Sequence, residues 1–506
     1  MAWAALIVVT SASAQGEKLA DDVWPHLSRK GDVHVVLTLV NQPGPRVGRQ
    51  VRERYEPQLG ALSERVRAIT RLQLPKESLS PAQERRFRLA PLTPILEQTR
   101  AMYAADVDVV RTRMATEIVA TIRPLVEFEQ AAMSVYVARM GGRVVSTTSI
   151  LNTIAVSVPA RQVLKLAGHP GIAWVDLDHA GAPELDVQAP SLGLTSGFWI
   201  NGFNGGVQDV GVLDTGVQQN HPAFVGHRFE SNGGTTDSDG HGTGIAGIMA
   251  SRDATFRGMA WASDTICVAL AGADSASMSG MNYLMTGTTE RPENVNYSFG
   301  NGTANDIDYS SFDKYFDAVI DTFGVMVSKS TGNGGWGTTT ITHPAPAYNL
   351  LASANMDDRN TVTRADDLIT SSSSRGPTLG GRKKPDITAP GTNSMTTNRT
   401  GGFSNLGGTS SASPHTGGGA VLLFDLGLSD VRAIKAVLLN AADAWNDNGT
   451  SATGDDGPVN GSLWTKTFGW GYLDLAEAYI NGLDAFVRDM PAPTGPRKYK
   501  LFKGFM

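Results

Sequence analysis

The sequence predicts an α/β fold: a doubly wound parallel sheet with helices on both faces, preceded by an α+β domain. From residue 191 to about 486, short apolar runs such as 207–213 and 266–270 alternate with segments of helical spacing, as in a parallel sheet. Before residue 179 the pattern differs, because strand-like runs surround long charged stretches of helical spacing.

The N-terminal zone, residues 16–178, is expected to mix strands and long helices. Residues 33–40 are typical of a strand, and apolar residues at 59, 62, 66 and 69 follow one helix face. The other expected elements are a helix over 94–140 interrupted at Pro124, two strands within 144–158, a short helix over 160–167 and a strand over 172–177. Residues 46–143 carry 17 Lys and Arg against 11 Asp and Glu, a surplus of +6 in a chain of net charge -6. This zone either clasps an acidic domain or consists of solvated helices.

Composition limits the class of protein. With 506 residues, of which 41% are hydrophobic, the chain can bury large cores, and its net charge of -6 favours neither nucleic acid nor an anionic membrane as partner. The single cysteine, Cys267, lies in an apolar run, which indicates a buried thiol. No later stretch approaches the roughly 18 apolar residues that span a bilayer. We expect a monomer.

Three segments are expected to lie outside the two domains: one at each end of the chain and one between the domains. Residues 1–14 resemble an export signal ending in Ala12-Ser13-Ala14, although its usual positive start is missing, and a ragged cytosolic N-terminus is the alternative. We therefore expect secretion, to the exterior or the periplasm. Residues 179–190 lack periodicity and are expected to be a linker. Residues 487–506 are expected to be a linker and the truncated start of a C-terminal β domain, or a disordered basic tail.

The first chemical motif is Asp214 in Val212-Leu-Asp-Thr-Gly-Val217, at the end of a buried strand. Open parallel sheets bind ligands at the carboxyl ends of their strands. Asp-Thr-Gly alone also occurs in aspartic proteases, but those need a second copy, and the sequence contains none. A turn or helix-cap aspartate is the simpler interpretation of this residue alone.

The second motif is His241 in Asp239-Gly-His-Gly-Thr-Gly244, where glycines on both sides let other backbone approach the imidazole. The third is Ser410 in Gly407-Gly-Thr-Ser-Ser-Ala-Ser-Pro-His415, at a glycine-lined turn that opens a helix. Backbone N–H groups and the helix dipole at such a turn favour a developing oxyanion. A structural histidine and an N-cap serine are the simpler alternatives.

Together the three blocks, in the order Asp, His, Ser, resemble the subtilases, the subtilisin-like serine peptidases, over about residues 198–475. The resemblance implies that Ser410 is the nucleophile, rather than Ser411 or Ser413, that His241 is the general base, and that Asp214 orients it. It also implies that Asn333 and the Ser410 N–H form the oxyanion hole. The implied substrate-binding residues are Ser298, Phe299, Gly300, Ser330, Thr331, Gly332 and Gly334.

The same resemblance implies domain boundaries and a specificity. The catalytic domain would span 191–486, and residues 16–178 would be an inhibitory pro-domain, with an unusual long helical insertion, that is removed by cleavage within the linker 179–190. Since Gly334 has no charge, we expect a roomy apolar S1 pocket, which receives the residue before the scissile bond, and a broad preference.

The chain departs from the family pattern at three positions. Gly244 stands where a second histidine is usual, and Ser411 stands where methionine is common. Ala223 replaces an acidic residue that ligates calcium in many members, so we expect no required cofactor and doubt the usual strong calcium site.

The sequence therefore predicts a secreted, self-processing serine endopeptidase acting on proteins or peptides. Two alternatives remain: a processing peptidase dedicated to one partner protein, and a catalytically silent subtilisin-like binding protein.

Overall fold

A computed structural model describes residues 18–28, 30–71, 94–178, 181–183, 192–302, 307–337, 339–359, 361, 367–443 and 464–485. The expected export signal, most of the linker, and the expected C-terminal strand lie outside these residues. Within them, no helix has the length and hydropathy needed to cross a bilayer.

Residues 18–178, the N-terminal region, form an antiparallel sheet and two long helices. The sheet has four strands in the order β2-β3-β1-β4. In chain order the elements are a 3₁₀ turn at Asp21–His26, β1 Asp32–Leu39, α1 Gly44–Arg71, α2 Pro94–Arg139, β2 Arg143–Thr148, β3 Thr153–Pro159, a 3₁₀ turn at Ala160–Gln162, α3 Val163–Ala167 and β4 Ile172–Leu177.

The expected interruption at Pro124 is wrong, because α2 is one continuous helix of 46 residues that contains this proline. Proline removes one helical hydrogen bond and crowds the preceding turn. Here Ile122 and Val126, on either side of it, are 1% and 0% exposed. Tertiary packing of these side chains holds the helix through a position that local preference would break.

Residues 192–485, the main domain, contain an eight-stranded sheet in the order β13-β12-β11-β9-β6-β8-β7, with β14 also paired to β12. The strands are β6 Val210–Asp214, β7 Arg228–Ser231, β8 Thr265–Leu270, β9 Asn294–Tyr297, β11 Met326–Ser330, β12 Leu351–Asp357, β13 Leu368–Ile369 and β14 Ile387–Pro390, and all but β13 pair in parallel. Their side chains are mostly buried because helices cover both faces, as the alternating pattern predicted.

The remaining elements of the main domain are helices, short turns and a small hairpin. They are 3₁₀ turns at Leu194–Ser196, Trp199–Asn201 and Pro222–Phe224, the helices α4 His241–Ala250, α5 Asp274–Thr286, α6 Ser311–Phe323, α7 Thr409–Asp425, α8 Val431–Ala441 and α9 Leu475–Asp484, and the hairpin β15 Ser394–Thr397 with β16 Phe403–Leu406. A doubly wound α/β domain is therefore present.

A short strand occupies part of the expected linker. β5 Gly181–Pro183 pairs antiparallel with β10 Phe299–Asn301, with Pro183 opposite Phe299 and Ala182 opposite Gly300. This segment was expected to have no order. It is ordered because the main domain offers an edge strand with which its backbone can pair.

The helices of the N-terminal region share a hydrophobic core with the main domain. Val47 and Val51 of α1, and Val110 and Ile118 of α2, belong to the same buried cluster as Phe316 of α6. The C-terminal half of α2 instead packs against the N-terminal sheet. The helix pair is thus bound to the main domain by apolar contact as well as by charge.

Candidate active site

Asp214 is the last residue of β6, which has parallel neighbours on both sides. Its side chain is 0% exposed. Oδ1 accepts hydrogen bonds from the N–H of Thr215 at 2.8 Å and from Nδ1 of His241 at 2.6 Å. The carboxylate therefore fixes the orientation of the imidazole and leaves Nε2 on the side of the ring away from Asp214.

His241 begins α4, directly after Gly240, whose φ is +108°. A Cβ on Gly242 would lie 2.2 Å from the carbonyl oxygen of Gly216 and 3.0 Å from Cβ of Asp214. Only glycine at 242 lets the helix start approach the end of β6 so closely. At Gly244 a Cβ would lie 2.6 Å from Leu406, so this departure from the family pattern accommodates packing.

Asp237 joins the two segments that carry Asp214 and His241. Its Oδ1 accepts from the Thr215 hydroxyl at 2.9 Å and the Gly240 N–H at 2.8 Å, and its Oδ2 accepts from the N–H and hydroxyl of Thr243. This positioning residue escaped sequence analysis, because its partners include residues 22 positions away. The only sequence signal was a carboxylate four residues before the histidine.

Ser410 is the second residue of α7 and is buried. Its hydroxyl lies 3.3 Å from the carbonyl oxygen of Ser298, and the Ser298 hydroxyl donates to the Ser410 carbonyl at 2.8 Å. The next residue, Phe299, places its ring centroid 6.1 Å from that of His241. The segment 298–299 is therefore flanked by the nucleophile and base that the sequence predicts, whereas the Ser413 hydroxyl donates to Asn296.

Asn333 lies beside the start of α7. Its Oδ1 accepts from the N–H of Thr409 at 3.0 Å and from the Thr409 hydroxyl at 3.1 Å. Because the oxygen of the amide is held there, the Nδ2 donors point to the other side, as an oxyanion donor requires. Thr409 is a second positioning residue that the sequence analysis missed, although it immediately precedes Ser410.

Two diverging segments lie next to Ser410, and the sequence predicts that they are the walls of the S1 pocket. β9 and β11 pair in parallel as far as Tyr297 opposite Lys329. Beyond that pair, 298–300 continues into β10 while 330–332 turns towards β12, where Ser330 pairs with Ser353. The predicted substrate-binding residues thus lie on these two segments, and Gly334 follows the second of them. The S1 pocket that the sequence predicts between them stays a prediction.

One charged side chain lies close to the second of these segments. Lys329, directly before that segment, is 0% exposed, and its ammonium group donates to the Ser330 hydroxyl at 2.8 Å. In the sequence, Lys329 stands between two serines in the strand Met326–Ser330.

Two carboxylates of the N-terminal region bind the first turns of main-domain helices. Asp176 accepts from the N–H of Ser311 in α6 at 3.2 Å, and Asp178 accepts from the N–H of Ser275 in α5 at 2.7 Å. Negative charge is stabilised at helix N-termini by unpaired N–H groups and by the helix dipole. These contacts, with the pairing of β5 and β10, hold the N-terminal region against the main domain.

Two other side chains of reactive types, a histidine and the cysteine, lie in surroundings that indicate structural roles. His343 bonds Asp313 at 2.7 Å through Nδ1, forming a second buried histidine–carboxylate pair, and Asp313 also completes the capping box of α6. Burial raises the pKa of the Cys267 thiol well above its usual value, as expected for an inert core cysteine.

The calcium position of the family does not fit this chain. Ala223 is 5% exposed, offers no side-chain oxygen, and donates its N–H to the imidazole of His221 at 3.1 Å. Elsewhere in the described ranges, Asp209, Asp264 and Glu290 approach one another closely enough to ligate a metal ion. Arg228 forms ion pairs with Asp264 and Glu290, so a guanidinium already supplies the positive charge there.

The residues described above lie in a part of the chain that matches a known protein family. The sequence profile of the subtilase family matches residues 206–471. The chain belongs to the subtilase family. This match covers the motifs of Asp214, His241, Asn333 and Ser410.

Individual relatives agree with that assignment. Serine protease AprX of Bacillus subtilis (strain 168) is 31% identical over 50% of this chain and 64% of its own length. Subtilisin E of the same strain is 26% identical over 57% of this chain and 74% of its own length. The chain therefore spans less than two thirds of AprX.

Among solved structures, fervidolysin from Fervidobacterium pennivorans, described as a keratinolytic enzyme related to subtilisin, superposes with a TM-score of 0.53 at 18% identity. The superposition covers 69% of this chain and 59% of fervidolysin. At that identity the likeness supports the fold alone.

Proposed function

We propose that this protein is a serine endopeptidase that cleaves peptide bonds through an acyl-enzyme intermediate. The observation that carries the proposal is the buried Asp214–His241 hydrogen bond of 2.6 Å, together with Ser410 at a helix start and the segment 298–299 that contacts both His241 and Ser410. Membership of the subtilase family and the name serine protease AprX support it.

The residues have distinct roles in this mechanism. Ser410 Oγ attacks the scissile carbonyl carbon while Nε2 of His241 takes its proton, and the negative charge of Asp214 stabilises the imidazolium that forms. The tetrahedral oxyanion accepts hydrogen bonds from Asn333 Nδ2 and the Ser410 N–H. His241 then protonates the leaving amine, and water hydrolyses the acyl-enzyme by the same steps in reverse.

We further propose that residues 16–178 inhibit the main domain until the chain cuts itself. Asp176 and Asp178 cap α6 and α5, and β5 then pairs with β10 in the orientation that a substrate strand would adopt. The chain thus leads from the N-terminal region directly into the cleft. We expect the mature N-terminus between residues 176 and 192, export directed by residues 1–14, and a monomer.

The decisive experiment uses purified protein and unfolded casein, with and without a serine-directed phosphonate. We expect hydrolysis that the phosphonate abolishes, and a Ser410→Ala variant that neither cleaves casein nor shortens its own N-terminus. Inert wild-type protein would instead support a silent binding protein. Cleavage confined to one partner protein would support the dedicated processing peptidase.

A further inference from the structure

The main-chain carbonyl of Ser410 lacks the N–H donor that a helix ordinarily gives it. In an α-helix a carbonyl accepts from the N–H four residues later, and for Ser410 that position is Pro414, which lies inside α7. Proline has no N–H, and its ring crowds the carbonyl of the residue four positions before it. The sequence of α7 therefore deprives the proposed nucleophile, and no other residue of the helix, of this main-chain donor.

A side chain from the end of β9 supplies a donor instead. The Ser298 hydroxyl donates to the Ser410 carbonyl at 2.8 Å, and both residues are 0% exposed. A buried carbonyl left unpaired would cost free energy, so this hydrogen bond holds the first turn of α7 against the segment that follows β9. Because a hydroxyl carries one proton, Ser298 can only accept in its other hydrogen bonds.

Asn296 sets the direction in which the Ser298 hydroxyl points. Its Nδ2 donates to that hydroxyl at 2.8 Å, while its Oδ1 accepts from the Ser413 hydroxyl at 2.7 Å. Asn296 and Ser413 are also 0% exposed. With its oxygen held by Ser413, the amide presents N–H to Ser298, which turns the Ser298 proton towards Ser410. The one amide thus holds the first turn of α7 at two points.

We propose that Asn296 and Ser298 form a hydrogen-bond relay that positions the nucleophile Ser410; this rests on the endopeptidase function proposed above. The relay replaces the donor that Pro414 removes. It holds the backbone that carries both the attacking hydroxyl and the N–H proposed as an oxyanion donor. In this role the two side chains act through the Ser410 carbonyl, so they are positioning groups whose loss lowers kcat rather than substrate affinity.

Steady-state kinetics on one peptide that the wild-type enzyme cleaves test the relay. Ser298→Ala and Asn296→Asp should each lower kcat by about 10–10²-fold and change KM by less than about twofold. Aspartate keeps the shape of asparagine, but its ionised carboxylate cannot donate to the Ser298 hydroxyl.

Ser353→Ala is the matched control. The Ser353 hydroxyl is equally buried and also bonds α7, at the Thr416 hydroxyl 2.9 Å away, but it does not contact Ser410. This variant should therefore keep kcat within about twofold of the wild-type value.

A double-mutant cycle separates positioning of Ser410 from general loosening of the fold. Pro414→Ala gives position 414 an N–H that can bond the Ser410 carbonyl. In that background Ser298→Ala should therefore lower kcat by less than about threefold. Equal fold-losses from Ser298→Ala in the two backgrounds would overturn the proposal. A loss in Ser353→Ala as large as that in Ser298→Ala would overturn it as well.

Folding is checked by urea unfolding of each variant, and kcat is expressed per active site counted with an alkyl fluorophosphonate. If Ser298→Ala does not fold, the cycle is run with Asn296→Asp, which keeps the side-chain volume, and the same two outcomes decide. Failure of the endopeptidase proposal has a different signature, since the wild-type protein would then cleave neither casein nor the peptide.

Discussion

The hydrogen bonds from Thr409 to Asn333 hold the amide that we propose as the oxyanion donor in one orientation. The N–H and the hydroxyl of Thr409 both hold Oδ1 of the asparagine amide. The donor therefore needs no reorganisation when charge develops on the substrate, which is the condition for a large electrostatic contribution to the rate.

We predict that Asn333→Ala lowers kcat by about 10²–10³ and changes KM little, because the lost hydrogen bond forms mainly in the transition state. Steady-state kinetics on a single peptide measure both constants. Ser411→Ala, which changes a neighbouring buried hydroxyl outside this machinery, is the control and should keep wild-type turnover. An equal loss in kcat and in affinity would show that Asn333 binds ground-state substrate instead.

His415 makes the stability of the fold sensitive to acid. Burial lowers its pKa to about 4, with hydrogen bonds from the ring to the backbone opposing the shift only in part. The unfolded chain binds a proton at this residue near pH 6.5, whereas the native state stays neutral until about pH 4. Stability from this group is therefore lost as the pH falls from about 6.5 to 4, at most by roughly 3 kcal/mol.

We therefore predict that the urea concentration at the unfolding midpoint of the inactive Ser410→Ala chain decreases as the pH is lowered from 7 to 4.5. In a His415→Asn background, the midpoint should start lower but depend less steeply on pH. Identical slopes in the two proteins would show that His415 does not carry the linkage.

At the residue scale, the motifs single out Asp214, His241 and Ser410 as candidates because each lies within its own run of characteristic neighbours. Asp237 and Thr409 could not be assigned in this way. Their roles depend on contacts made only when distant segments meet, such as the hydrogen bond from Thr409 to Asn333 across 76 positions. The sequence contains the residues but not these distances.

At the scale of elements, apolar runs located β6 and β8 to within a few residues, because strands buried on both faces of a parallel sheet are rich in apolar residues. The course of α2 through Pro124 and the pairing of β5 could not be predicted. Both are tertiary effects: a packed helix tolerates one missing hydrogen bond, and three residues become a strand only beside a partner edge.

The contact between α1 and α6 depends on one glycine. A Cβ on Gly48 would lie 2.6 Å from Cα of Thr322, whereas a Cβ on Gly60 of the same helix would meet nothing within 4 Å. Both substitutions to alanine improve helix propensity by roughly the same 1 kcal/mol. The difference between them therefore isolates the cost of separating the two helices.

We predict that Gly60→Ala raises the unfolding midpoint of the inactive precursor and that Gly48→Ala lowers it, as measured by circular dichroism in urea. If Gly48→Ala is as stabilising as Gly60→Ala, α1 is not held against α6 as described.

At the scale of the whole molecule, arginines of the N-terminal region pair with carboxylates of the main domain, as the charge distribution suggested. Arg100 bonds Asp425 at 2.8 Å with exposures of 5% and 0%, and Arg111 bonds Glu293 at 3.0 Å with exposures of 13% and 2%. Arg100 also stacks 4.3 Å from the ring centroid of Phe203. The clasp hypothesis is confirmed over the hypothesis of solvated helices.

We predict that Arg100→Ala destabilises the Ser410→Ala precursor by about 3–5 kcal/mol, because Asp425 would remain buried without its partner. Arg49→Ala is the matched control: its nitrogen is 4.0 Å from Asp321 and its side chain is 62% exposed, so the change should cost less than about 1 kcal/mol. Comparable losses of stability in the two variants would show that burial of an ion pair does not determine how strongly it holds the N-terminal region to the main domain.

The central claim, that Ser410 is a nucleophile activated by His241 and Asp214, is tested most directly by mass spectrometry of the enzyme after reaction with a biotinylated fluorophosphonate. We predict a single adduct, on Ser410, that forms in step with the loss of casein hydrolysis and is suppressed in His241→Ala. An adduct on another serine, or full hydrolytic activity with Ser410 unmodified, would contradict it.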